Sequence, residues 1–408
     1  MGWAARVCGL GTATLALTAC TADAGAGSAA PLGPAVVESA DSPTGYEVTF
    51  RYANADADQV WLAGDLYFSQ PPFLSLEGAS ESWLGDQWSE GDVSTLPLAA
   101  DLAPLTRTDD GVWEITTAVP AGTWNYGFVT SACQLILLCT VAEDPANTPT
   151  LATDPTATQR WSTLTVAAEP ALADDRRGTL TRVDDPDLGV YLPAGFDRTR
   201  EERYPLLVLS HGAGDDETAW WTQGGAERLL DTAVAEGTIP PVVAVTTDFN
   251  HLSSEGMSDP EFFDHYTAYL EDTVIPYAVE NLNATTDAAD RAFAGLSMGG
   301  RLSEHLLLNS PGLFDEYGMW SMPRAVRDVP ADSLTATDLA HAATASAVHL
   351  GTGNEDSLTP TPAAFAALAA TYADAGLTAT TYETHGGHTW SVWRQMLADF
   401  LETTAFRQ

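Results

Sequence analysis

Arg291-Ala292-Phe293-Ala294-Gly295-Leu296-Ser297-Met298-Gly299-Gly300 is an apolar run that stops at a serine set between glycines. The run from Arg291 to Leu296 reads as a buried strand, and Gly299 to Leu308 has the spacing of a helix. A serine on so tight a strand-to-helix turn is held exposed, and small residues on both sides relieve crowding there. Exposure matters because a serine hydroxyl is a weak nucleophile until a base takes its proton. The turn also aims a helix N-terminus at a reacting carbonyl, which makes the Met298 N–H an oxyanion donor. Ser297 is therefore the candidate nucleophile.

Strand and helix patterns alternate on either side of this turn. Strands are expected at Pro205 to Ser210, Val242 to Thr246, Tyr317 to Ser321, Val348 to Gly351 and Thr380 to Glu383. Helices are expected at Glu227 to Glu236, Phe262 to Leu282 with a kink or break at Pro276, Pro362 to Ala375 and Trp390 to Thr403. Such alternation predicts a doubly wound, mostly parallel α/β sheet. His211-Gly212-Ala213-Gly214 follows the strand ending at Ser210, where a second oxyanion donor belongs, so the N–H groups of Ala213 and Gly214 are candidates. A base should be a histidine late in the chain. His388, after Gly386-Gly387, is favoured over His385 because the glycine pair gives the backbone freedom to deliver it. The orienting acid belongs on the loop after the strand at Val348 to Gly351, where Glu355 and Asp356 compete and spacing does not separate them. Trp220, Trp221, Trp320, Trp390 and Trp393 fall near strand ends or motif loops and form a candidate substrate pocket, with core packing as the competing reading.

The N-terminal half has a different character. From Gly45 to Ala168 short strands rich in aromatic residues lie between Pro and Gly, the pattern of a small all-β sandwich. Phe73 to Leu105 fits poorly and is expected to be a long loop or insertion. The expected organisation is a signal peptide at 1–19, a flexible tether at 20–44, the sandwich at 45–168, a linker at 169–180 and the α/β domain at 181–408. Arg6 and the apolar stretch from Val7 to Ala19 suit a signal peptide, too short for the roughly 20 residues of a membrane span. It ends Leu17-Thr18-Ala19-Cys20, which resembles a bacterial lipobox, so Cys20 is the candidate lipidation site and the membrane is met only through that anchor. An ordinary signal peptide cut near Ala24 is the alternative. Of four cysteines, Cys133 and Cys139 then remain, and outside the cytoplasm they are expected to form a disulfide. With 56 Asp+Glu against 17 Lys+Arg, all of them Arg, the formal charge of -39 opposes nucleic-acid binding.

From His211 to Phe400 the chain resembles the esterase family of α/β hydrolases that includes feruloyl esterases, enterochelin esterases, esterase D and bacterial mycolyltransferases. The resemblance is carried by His-Gly-Ala-Gly at 211 to 214 with Trp220, Gly-Leu-Ser-Met-Gly-Gly at 295 to 300, Gly-Asn-Glu-Asp at 353 to 356, and Gly-Gly-His-Thr-Trp at 386 to 390 with Trp393. It implies an α/β-hydrolase fold, aligns the acid with Asp356 and the base with His388, and implies no metal and no organic cofactor. Val48 to Asn147 resembles the immunoglobulin-like modules that precede the hydrolase domain in several such esterases and occur in glycogen-branching enzymes. The matching pieces are Val60 to Asp65, Asp110-Gly111-Val112-Trp113 and Asp144-Pro145-Ala146-Asn147. The departures, Tyr67 to Leu105 and the Cys133–Cys139 loop, set a structural role for this module beside a glycan-binding one. The expectation is a serine carboxylic ester hydrolase outside the cytoplasm, acting on a small-molecule or carbohydrate ester or a siderophore ester. A mycolyltransferase-like acyltransferase and a non-catalytic cell-surface binding protein on a hydrolase fold are the alternatives.

Overall fold

Every residue of Leu206–Ser210 is buried, because alternate side chains enter different layers. Leu206 and Val208 pack into one apolar cluster, Leu207 and Leu209 into another on the opposite face. The computed structural model describes residues 31–70, 82–95, 97, 101–133, 136, 139–151, 157–167, 172–253, 259, 261–323 and 334–407. The expected signal peptide and Cys20 lie outside the described residues.

Among its described residues the first half holds eleven strands in chain order: β1 (Ala35–Glu38), β2 (Tyr46–Ala53), β3 (Trp61–Gly64), β4 (Tyr67–Ser69), β5 (Trp83–Leu84), β6 (Val93–Thr95), β7 (Ala103–Pro104), β8 (Thr106–Arg107), β9 (Val112–Ala118), β10 (Gly122–Val129) and β11 (Ser162–Val166). Two four-stranded sheets, ordered β1-β2-β9-β8 and β11-β10-β3-β7, sandwich a core in which Phe50 meets Tyr126 at 4.8 Å and Tyr52 stacks on Phe128 at 4.3 Å. Strand β1 falls within the stretch expected to be tether, and pairs antiparallel with β2. The segment expected to be one loop carries β5, β6 and β7, with β5-β4-β6 forming a third small sheet. Strands of two or three residues are too short for a periodic signal, which is why sequence alone hides them. Cys133 and Cys139 are joined by a disulfide, Cα to Cα 5.4 Å.

The second half builds one eight-stranded sheet in the order β12-β13-β15-β14-β16-β17-β18-β19. Its strands are β12 (Thr179–Asp184), β13 (Asp187–Leu192), β14 (Leu206–Ser210), β15 (Val243–Thr247), β16 (Arg291–Leu296), β17 (Glu316–Trp320), β18 (Ala347–Gly353) and β19 (Thr378–Thr384). The helices are α1 (Ala219–Thr222), α2 (Ala226–Glu236), α3 (Phe262–Tyr269), α4 (Ile275–Asn281), α5 (Met298–Asn309), α6 (Ala336–Ala342), α7 (Pro362–Asp374) and α8 (Trp390–Thr403). The six strands from β14 to β19 run parallel, while β12 and β13 add an antiparallel hairpin at one edge. Residues of α3, α5 and α7 pack on one face of the sheet, and those of α1, α2 and α8 on the other. This is the α/β-hydrolase architecture, preceded by an all-β sandwich. Among the described residues no helix is long and apolar enough to cross a membrane.

The helix expected from Phe262 to Leu282 is interrupted. A wider π-type turn at Leu270–Val274 separates α3 from α4, and Pro276 falls in the first turn of α4. Proline has no N–H and its ring crowds the carbonyl four residues back. The widened turn just before Pro276 absorbs the misfit.

Leu32–Gln408 forms one compact unit. The sandwich meets the α/β half through Arg394 of α8, which is 7% exposed. Its guanidinium donates to the carbonyl oxygens of Gln223 and Thr123 and to Asn125 Oδ1. Nearby, Thr163 Oγ1 donates to the Thr222 carbonyl, and Arg228 donates to Thr165 Oγ1 at 2.8 Å.

Candidate active site

All the candidate site loops leave the carboxyl ends of parallel strands, the edge at which open α/β sheets present ligands. Ser297 follows β16 with φ +52° and ψ -113°, a conformation a non-glycine residue rarely adopts. Its N–H bonds the Trp320 carbonyl at 2.8 Å, which pins the turn to the neighbouring strand. The flanking glycines are required by contact. A Cβ on Gly295 would lie 2.3 Å from the Gly299 carbonyl carbon, and one on Gly299 would lie 2.6 Å from the Ser210 carbonyl oxygen. Helix α5 starts at Met298, whose N–H belongs to the first-turn donors that a helix leaves without an intrahelical partner.

His388, on the loop between β19 and α8, places Nε2 2.9 Å from Ser297 Oγ. Its Nδ1 lies 2.8 Å from Asp356 Oδ2, and the Asp356 side chain is fully buried. Asp356 Oδ1 accepts from the Leu358 N–H at 3.0 Å, which fixes the carboxylate plane. Glu355 faces elsewhere: it is only half-buried, and its backbone N–H bonds the Gly386 carbonyl at 3.0 Å. His385 is exposed, with Nε2 3.0 Å from the Gly91 carbonyl of the sandwich half. The two loops touch, since a Cβ on Gly353 would lie 2.2 Å from the Gly386 carbonyl oxygen. A carboxylate, an imidazole and a hydroxyl in this series can move a proton off the serine as its oxygen bonds an electrophile.

The loop after β14 lies against the same turn. Gly299 N–H bonds the His211 carbonyl at 3.1 Å, and a Cβ on Gly212 would approach Ser297 Cβ to 3.3 Å. Ala213 and Gly214 are exposed. Beneath them His211 is buried, with Nδ1 2.7 Å from the Gly212 carbonyl and Nε2 3.3 Å from Asp248 Oδ1. Burial pushes the Asp215 carboxyl up to about 6, against the pull of His211. Burial alone would lower the His211 pKa. The hydrogen bond to Asp248 and the charges of Asp215 and Asp248 outweigh it and hold the imidazole above its ordinary value. Sequence reasoning used only the backbone of this loop. Asp248 lies 37 residues beyond His211, and no spacing rule pairs them.

The tryptophans expected to line a pocket are core residues. Trp220, Trp221, Trp320, Trp390 and Trp393 are 1%, 3%, 0%, 7% and 6% exposed. Four of them form an edge-to-face chain, Trp320 to Trp220 to Trp390 to Trp393, with successive centroids 5.6, 5.1 and 5.3 Å apart. Trp393 then meets the His388 ring edge-on at 4.9 Å, so this chain buttresses the imidazole from behind. Trp221 lies apart from it and donates to Thr246 Oγ1 at 2.7 Å. His349 is likewise structural, accepting from Trp320 Nε1 at 2.8 Å and facing Asp399 at 2.9 Å. Among the described residues no group of three or more His, Cys, Asp or Glu is placed to hold a metal ion.

Comparison with known proteins identifies the family of the chain. A family model described as Putative esterase matches residues 183–404. An endo-1,4-beta-xylanase/feruloyl esterase of Xylanibacter ruminicola is 37% identical over 151 residues, which is 34% of this chain and 20% of that protein. Endo-1,4-beta-xylanase Y of Acetivibrio thermocellus is 31% identical over 127 residues, 30% of this chain and 12% of that protein. The chain thus matches only a fifth or less of the length of these curated relatives. Among solved structures, the enterobactin esterase of Shigella flexneri, determined in the presence of 2,3-di-hydroxy-N-benzoyl-serine, shares the fold at 17% identity and a TM-score of 0.55, covering 90% of this chain and 96% of that one. The matched span includes Ser297, Asp356 and His388 and takes in more than half of the 408 residues, so the chain belongs to the Putative esterase family.

Proposed function

We propose that the protein is a serine carboxylic ester hydrolase in which Ser297 is the nucleophile, His388 the base and Asp356 the acid that orients it. The observation that carries this reading is the pair of contacts from one imidazole, 2.9 Å to Ser297 Oγ and 2.8 Å to Asp356 Oδ2, at a backbone turn of positive φ. Ser297 Oγ attacks the ester carbonyl while His388 Nε2 takes its proton. Asp356 accepts from Nδ1–H, selects the useful tautomer and stabilises the imidazolium. The N–H groups of Met298, Ala213 and Gly214 hold the developing oxyanion. Collapse expels the alcohol, which takes the proton from His388. Water, deprotonated by the same imidazole, then releases the acid from the acyl-enzyme.

Substrates proposed for it are acylated carbohydrates and siderophore esters. The first is supported by the feruloyl esterase named among the relatives, the second by a fold shared with an enterobactin esterase. The sandwich at 45–168 is proposed as an immunoglobulin-like module that can contact glycan, joined by a linker at 169–180 to the hydrolase domain at 181–408. The enzyme is proposed to work outside the cytoplasm, tethered through a lipid on Cys20. The Leu17-Thr18-Ala19-Cys20 sequence and the Cys133–Cys139 disulfide support that placement.

Labelling with a fluorophosphonate probe tests the nucleophile. Wild type should label and Ser297→Ala should not, with kcat lowered about 10⁶-fold in the variant. Equal labelling of both ends the proposal. Turnover of acetyl, feruloyl, longer acyl and cyclic triserine esters, with and without trehalose or glucose, assigns the substrate class. Acyl transfer to the sugar instead of water would make the enzyme an acyltransferase.

A further inference from the structure

His211 has a proton inventory that its surroundings fix. The ring is 1% exposed and stacks on Phe249, with centroids 3.9 Å apart and planes within 15°. Nδ1 faces the Gly212 carbonyl oxygen at 2.7 Å. A carbonyl oxygen only accepts, so Nδ1 carries hydrogen. Nε2 faces Asp248 Oδ1, which also accepts from the backbone N–H of Asn250 at 3.0 Å and from Asn250 Nδ2 at 2.6 Å. An oxygen that already takes two donors carries no proton of its own, so Nε2 carries hydrogen as well. Both ring nitrogens are donors, and the ring is an imidazolium. The charged and titratable groups around it are Asp248 after β15, Asp215 on its own loop, His251 at 3.8 Å from Asp248 Oδ2, and Tyr266 of α3 packed against Phe249. Two carboxylates beside one buried cation favour the charged ring.

The hydrogen bond to Gly212 has a geometric consequence. In a trans peptide the C=O and the next residue's N–H point in opposite directions. An imidazolium that holds the Gly212 oxygen inward therefore turns the Ala213 N–H outward, on a loop that passes against Ser297. We propose that His211 is a positioning residue which, as a buried imidazolium, fixes the Gly212–Ala213 peptide so that Ala213 N–H faces the oxyanion. The role rests on the serine-hydrolase reading above. The cation also adds a favourable field at the site where negative charge develops. Because the charged ring is the working form, activity is present below the His211 pKa and lost as pH rises through it. That produces an alkaline limb in the pH profile of kcat.

The test uses the full chain. Nitrogen-15 histidine spectra, with His211→Gln to assign the resonance, should show both His211 nitrogens still protonated at a pH above the ordinary imidazole value. A single protonated nitrogen overturns the proposal. In steady-state kinetics His211→Gln should lower kcat about 10²-fold with KM changed less than about threefold, as expected when a transition-state donor loses its aim. Asp248→Asn should move the alkaline limb of kcat down by a unit or more. An unmoved limb in a folded Asp248→Asn protein also overturns it, and that variant serves should His211→Gln not fold. Wild-type protein without esterase turnover would instead count against the hydrolase reading, while the spectra still report the His211 protons.

Discussion

Arg394 of α8 donates to the side-chain oxygen of Asn125 on β10, 2.7 Å away, across the boundary between the sandwich and the sheet. The guanidinium also pulls down the pKa of two carboxyl groups, Asp65 and Glu227, which burial nevertheless raises to about 6 and about 7. Burial lowers Arg394 itself to about 10, so it remains charged at neutral pH. Arg394→Ala should cost about 3–5 kcal/mol, because it strands buried acceptors and removes the cation that opposes the burial of Asp65. Arg394→Met, which keeps volume, should cost less. Urea unfolding of the three proteins measures this; equal midpoints would show that the contact adds no stability.

Asp356 and Glu355 are neighbours with different fates. Asp356→Asn should lower kcat about 10⁴-fold by allowing the wrong imidazole tautomer. Glu355→Gln should stay within about threefold of wild type, since the Glu355 backbone bond to Gly386 survives the change. A large loss in Glu355→Gln and none in Asp356→Asn would reverse the assignment.

Glu316, at the start of β17, is 7% exposed, and burial, with help from Asp315 and Asp290, raises its pKa to about 7. A carboxyl group with a raised folded pKa binds more protons folded than unfolded between about 4.5 and 7. Its contribution is therefore present below the unfolded value and lost as pH rises through the folded one. Glu316→Gln removes that dependence and keeps an acceptor for the Phe406 N–H. Its melting temperature should match wild type near pH 4.5 and exceed it at pH 8, by about 1–3 kcal/mol of stability. A gain only at the acid end would contradict the sign.

The Cys133–Cys139 disulfide closes a loop of sequence separation 6. Loop-closure entropy for so short a ring is about 2 kcal/mol. Replacing both cysteines by serine should lower stability by about that amount under oxidising conditions. Wild type treated with reductant should fall to the level of the double variant, and a reductant effect on the double variant would point to another cause.

What the sequence disclosed followed from local rules. The β16 to α5 turn was legible because steric demands at Ser297, Gly295 and Gly299 leave few residue types acceptable. The parallel strands were legible because burial on both faces forces continuous apolar runs such as Leu206–Ser210. Asp356 could not be separated from Glu355 without the family resemblance, since adjacent carboxylates differ only in direction. The β12–β13 hairpin was missed although residues 188–192 of β13 are themselves largely apolar, because its partner β12 mixes polar and charged residues and lies partly open to solvent. The tryptophans misled for a related reason: position near a motif does not state which way a ring points, and these rings point into the core. Pairings across long sequence distances, such as His211 with Asp248 and Arg394 with Asn125, left no local trace.

The placement of Arg394 also sets an order of events during synthesis. Thr123 leaves the ribosome 271 residues before the arginine whose guanidinium it receives. Until then the sandwich exists without the cation that offsets Asp65. A chain clipped before α8 lacks both that cation and Trp393, the ring that braces His388, so one cut removes a counter-charge from the sandwich and a support from the candidate base together.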